Sequence, residues 1–154
     1  MGTQLLCGDQ RMPENIYSNT KKDILLLTIN RFGDINKYRT DICPEEQFLQ
    51  ISTKKISKGT NFNPHKHNKL ERTTDITQEA WIVLEGRIRA TFWDIDDSIV
   101  KETVLSAGDC AVVYRAGHSF EVLDDETILY EVKNGPYYGV DKDKTMIKTK
   151  KDFK

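Results

Sequence analysis

His65 and His67 are separated by one residue. In an extended strand that spacing turns both imidazoles to one face, about 6 to 7 Å apart, so that both can reach a single point. On a helix the same spacing would send them to different faces, so the pair has chemical meaning only if this stretch is β. Its neighbours favour that: Pro64 is unfavourable inside a helix, and Trp81-Ile82-Val83 downstream has strand character. The stretch ends in EAWIVLEG, which places the carboxylate of Glu79 at the head of an apolar run. The third and last histidine, His118, follows another apolar run in GDCAVVYRAGHSF.

The elements that must position these groups read as strands. Asp23 to Asn30, DILLLTIN, is an apolar run short enough for a strand buried on both faces. Further strand signals cover Phe48 to Ile56, Phe62 to His67, Ala80 to Leu84, Ile88 to Trp93, Ile99 to Leu105, Cys110 to Tyr114, Ser119 to Leu123 and Ile128 to Val132. Turn-like separators such as SKGTN, EGR, DIDDS, SAGD and DDE divide them. Asp94, Asp96 and Asp97, and Asp124, Asp125 and Glu126, belong to such turns rather than to a carboxylate site. Many short strands without a long amphipathic helix predict an all-β barrel or jelly roll. Residues 1–22 form an N-terminal arm, either disordered or a strand completed by a second subunit. Residues 23–140 form the barrel, and 141–154, with six lysines against three aspartates, a solvated tail.

The motifs resemble the cupin superfamily of small β-barrels. Its first motif, a glycine, five residues, His-x-His, then Glu, six residues and Gly, is matched by Gly59, His65, His67, Glu79 and Gly86. The gap from His67 to Glu79 is longer than usual, and Glu71 stands at the usual distance; Glu79 is preferred because the six-residue spacing and the strand begin there. The second motif, from Gly108 to His118, lacks the customary proline and is one residue short. FLQIS, HKHNKLER, TQE, AGHSF and EVKNGPY further resemble a group of single-domain cupins associated with bacterial surface-polysaccharide gene clusters. The resemblance implies a double-stranded β-helix with short terminal extensions, a homodimer, and a metal held by His65, His67, Glu79 and His118.

That donor set suits one divalent transition ion, Fe, Mn, Ni, Co or Zn. With every imidazole a ligand, proton transfer falls to a carboxylate, a lysine, a tyrosine or metal-bound hydroxide. Glu71 is the candidate base, against a reading as a surface carboxylate paired with Arg72 or Lys69, and Tyr137 is a second catalytic candidate. Arg72 could clamp a carboxylate or phosphate bidentately. Arg89 shares a strand face with Arg87, as an anion anchor if inward and as ordinary surface charge, the favoured alternative, if outward. The resemblance places Lys133 and Tyr137 at the pocket, while Trp81 and Phe120 are core residues or a ligand floor.

The charge balance, 23 Lys and Arg against 24 Asp and Glu, gives no reason to expect nucleic acid. No apolar run approaches membrane-spanning length. Cys7, Cys43 and Cys110 are odd in number and widely spaced, which suits free thiols in a reducing cytoplasm. The expected function is a metal-dependent isomerase or epimerase acting on a sugar or sugar nucleotide. An Fe(II)-dependent dioxygenase, a non-catalytic sugar-binding or regulatory protein, and a metal-free epimerase using a histidine with Tyr114 or Tyr130 are the alternatives.

Overall fold

The computed structural model describes residues 12–149. The fold is all-β and antiparallel. A large sheet has the order β1-β2-β8-β5-β10 and a smaller one the order β7-β6-β9. Their strands are β1 (Glu14–Tyr17), β2 (Leu25–Asn30), β5 (Glu79–Glu85), β6 (Arg87–Trp93), β7 (Ile99–Ser106), β8 (Cys110–Val113), β9 (Gly117–Val122) and β10 (Ile128–Lys133). A ribbon of β3 (Thr40–Asp41) and β4 (Ser52–Thr53) stands apart, and one helical turn, α1 (Val140–Asp143), follows the last strand.

Alternation along each strand decides what is buried. Trp81 and Val83 of β5, with Leu27 and Ile29 of β2, face Ile88, Ala90 and Phe92 of β6 and Leu105 of β7, so the main core lies between the sheets. The Trp81 and Phe92 rings stack across it at 5.9 Å. The opposite face of the large sheet carries a second core, in which Ile42, Cys43, Leu49 and Ile51 cover Leu25, Ala80, Val112 and Tyr114. Sandwiched between these cores, all six residues of β2 are buried, as its continuous apolar run predicts. The side-chain oxygen of Asn30, at the end of β2, is the one buried side-chain polar atom without a hydrogen-bond partner among the described residues.

Three expectations change. The sequence Phe62 to His67 forms no strand; residues 54–78 run as a long, largely exposed loop. The stretch offers no alternating apolar face to bury, and Pro64 lacks a backbone N–H for a ladder. Within the arm, Glu14–Tyr17 forms β1 and pairs with β2 of its own chain rather than awaiting a second subunit; residues 1–11 lie outside the described part. The Phe48 to Ile56 signal shortens to β4 because the preceding residues fold back as a turn, with Gln47 N donating to Pro44 O at 3.1 Å.

Candidate functional site

Among the described residues β9 pairs only with β6 and β10 only with β5, so each ends its sheet, and the contacts of His118 and Phe120 of β9 with Trp81 of β5 bring β9 over the β5–β10 side of the large sheet. Their inward faces are therefore incompletely covered. Phe120 is 37% exposed and Val122 54%, which marks a cleft between the sheets rather than a sealed core. Glu79 begins β5 at the inner end of this cleft, with its side chain only 6% exposed. Lys133 of β10 lies directly opposite Glu79 in the ladder, and Glu131 opposite Trp81, so the facing side chains share one side of the sheet. His118 of β9 is paired with Phe92 and points the same way as that core residue.

Four side chains converge on Glu79 or on its partner. Trp81 Nε1 donates to Oε1 at 2.7 Å, and His118 Nε2 lies 3.5 Å from the same oxygen. Lys133 Nζ is 3.4 Å from Oε2 and 2.6 Å from Glu131 Oε1. Burial would push the Glu79 carboxyl up, but the His118 ring, the Trp81 N–H and the Lys133 charge outweigh it and hold the group well below the usual carboxylate range. Burial would likewise depress His118; the Glu79 carboxylate and the Ala116 carbonyl prevail and raise it, while the Lys144 charge acts in the opposite direction. Trp81 floors the cleft, with its ring 5.3 Å from His118 and 5.0 Å from Phe120.

The other predicted residues are dispersed. His65 and His67 stay close, with ring centroids 5.5 Å apart, but both stand on the exposed loop. Glu71 is exposed on the same loop, and Arg72 contacts the Leu70 carbonyl at 3.5 Å. Arg72 instead borders a surface hollow of about 510 Å³ against the 45–50 turn, outside the Glu79 cluster. Arg89 pairs with Glu121 on the outer face of the small sheet, the surface-charge alternative, because it alternates with the inward Ile88 and Ala90. Tyr137 stands beside the cluster, its ring centroid 6.0 Å from Lys133 Nζ. Tyr114 is buried in the second core, its hydroxyl donating to Thr28 at 3.3 Å, and Tyr130 lies on the outer face with Ala80 and Ile82 of β5; neither reaches the cleft.

A metal can be tested against these donors. His118 Nδ1 lies 3.1 Å from Ala116 O, and His65 Nδ1 lies 3.0 Å from Asn63 O. A ring tethered by Nδ1–H presents Nε2 as a free donor, the arrangement that metal-binding imidazoles use. Glu79 and His118 thus form a suitable half-site in donor type and position. Among the described residues, however, no group of three His, Cys, Asp or Glu side chains is placed to share one ion. The loop pair has the right chemistry and stands apart. Comparison with family models, curated proteins and solved structures finds no match.

Sequence reasoning did not assign two features. One is Trp81 as a hydrogen-bond donor to Glu79, legible in principle from their spacing of two on one strand. The other is the chain after Lys133, which returns to the body: Asn134 Oδ1 accepts from Gln78 N at 2.6 Å, and Thr77 Oγ1 donates to Asp143 Oδ1 at 2.6 Å. No periodicity in the lysine-rich segment signals those contacts.

Proposed function

We propose that this chain is a cupin-type jelly-roll protein that binds one divalent transition metal and isomerises or epimerises a small polar metabolite, a sugar or sugar nucleotide. The observation that carries this reading is the approach of His118 Nε2 to Glu79 Oε1 at 3.5 Å, with the ring's other nitrogen facing a carbonyl. Two electron-pair donors turned toward each other need a cation between them, either a proton or a metal ion. Glu79 and His118 would hold the ion, with His65 and His67 completing its donor set from the loop. When bound, such an ion polarises a carbonyl or hydroxyl and acidifies bound water.

The chain's own groups have distinct parts in this proposal. Trp81 N–H fixes the orientation of Glu79, and Lys133 balances its charge. Phe120 and Tyr137 offer exposed rings against which the apolar face of a sugar can lie. Glu131, 43% exposed beside Lys133, takes the proton-transfer role that the sequence suggested for Glu71, with Tyr137 as its partner. The substrate class and the homodimer follow from the resemblance, and sedimentation of the purified chain tests the latter.

Lys133 favours a second reading. Its ammonium already supplies positive charge at Glu79, so a protonated His118 facing Glu79 would give a metal-independent acid–base site. Elemental analysis of protein purified without chelator, and again after anaerobic reconstitution, separates the two. The metal reading expects about one equivalent, lost in His118→Ala and reduced in His65→Ala/His67→Ala. Equal metal content in all three proteins, or none in any, overturns it. Oxygen uptake by an iron-loaded form would redirect the reaction class to a dioxygenase.

A further inference from the structure

The chain after β10 crosses the end of the cleft where Glu79 and His118 meet. Its first anchor is on the large sheet's side: Asn134 is bonded to Gln78, and Asp143 accepts from Thr77, two residues before Glu79. Its second anchor is on the small sheet. A Cβ at Gly117 would stand 2.3 Å from Ile147 Cδ1, so the Ile147 side chain occupies the space that this glycine leaves open, immediately before His118. Between the anchors Lys144 is extended, with φ −130° and ψ 141°. Asp143 and Ile147 are four residues apart, a reach of up to about 13 Å, which suffices for a crossing between two packed sheets. The Lys144 charge acts on the His118 ring, as expected of a segment passing that residue.

We propose that residues 139–147 form a strap that closes the Gly117 end of the cleft and controls access to His118. Its anchors distinguish it from a solvated tail: one is a side-chain hydrogen bond, and the other an apolar contact fitted to a residue without a side chain. With that end closed, the cleft remains open along β9 and β10. It accepts a compact ligand from that side, whereas a polymer threaded lengthwise would meet the strap. Gly139, at φ +100°, starts the strap in a backbone conformation that an L-residue would adopt only with strain. This inference concerns access and stands apart from what the cleft binds.

Diethyl pyrocarbonate modification, read at each histidine by peptide mass spectrometry, tests it at a pH where the rates have reached their plateau. The exposed His65 and His67 serve as references within the same molecule. In an Asp143→Ala/Ile147→Ala variant, His118 should react about ten-fold faster relative to them, as expected when a local closure is lost. Thr77→Val, which removes only the hydroxyl donor, should move His118 in the same direction by a smaller factor. It also provides the test if the double variant does not retain the wild-type circular dichroism spectrum. An unchanged His118 rate in a folded variant, or an equal rise at all three histidines, overturns the proposal.

Discussion

Asp94 shows how a carboxylate in this chain can be structural rather than catalytic. It is only 2% exposed and accepts from Asn19 N at 2.6 Å and Ile95 N at 2.7 Å, joining the turn after β1 to the turn between β6 and β7. Burial pushes its carboxyl up; the Ser18 hydroxyl and the backbone N–H groups of Ile95, Asn19 and Thr20 overcome this and hold it below its ordinary value. Because the folded value is the lower one, the contribution is complete above the unfolded value, near 3.9, and is lost as the pH falls through the folded value. Asp94→Asn should therefore flatten the acid limb of stability against pH and lower stability at neutral pH by about 1–3 kcal/mol. Urea unfolding across the acid range checks both, and an unchanged acid slope would assign that limb to other carboxylates. The sequence correctly assigned Asp94 to a turn, because an aspartate beside Asp96, Asp97 and Ser98 between two strands is turn chemistry. Its burial was not legible, since the donors come from Asn19 and Ile95, one of them 75 residues away.

The turn between β5 and β6 explains one glycine of the motif. Gly86 has φ +72°, and a Cβ there would lie 2.3 Å from Thr127 Oγ1 and 3.1 Å from Thr127 Cα. Gly86→Ala should cost about 2–4 kcal/mol, combining left-handed strain with overpacking. Thr127→Ala in the same chain should recover part of that loss in a denaturant titration; no recovery would leave backbone strain as the whole effect. Gly108 is held in the same way, at φ +86° against the Phe32 ring. The six C-terminal strands were legible because their alternating apolar residues and intervening turns act locally. The His65 segment was misleading for the opposite reason: spacing can put two side chains on one face, but only a partner strand and an apolar surface can hold that face in place. Glu79, His118 and Lys133 were each legible as candidates. Their convergence depends on strand pairings between distant parts of the chain.

The whole molecule depends on its large sheet, which carries a core on each face and draws its strands from both ends of the chain. β2, residues 25–30, pairs with β8 at Leu27↔Val113 and Asn30↔Cys110, so its inner neighbour lies some 80 residues further along. During synthesis at about 5–20 residues per second, β2 would wait roughly 4 to 16 s for β8 to be made. Throughout that wait LLLTIN is uncharged, with Leu25, Leu27 and Ile29 forming one wholly apolar face, the composition of a segment prone to pairing with another copy. A fragment ending at residue 109 should lack the cooperative unfolding of the full chain and sediment as aggregates, whereas the full chain stays in solution. A soluble, cooperatively folded fragment would show that β1 and β2 find another arrangement without β8. The buried strand that anchors the finished protein is thus also its principal hazard while the chain is incomplete, and slower growth temperatures or chaperone supply should affect yield through that one strand.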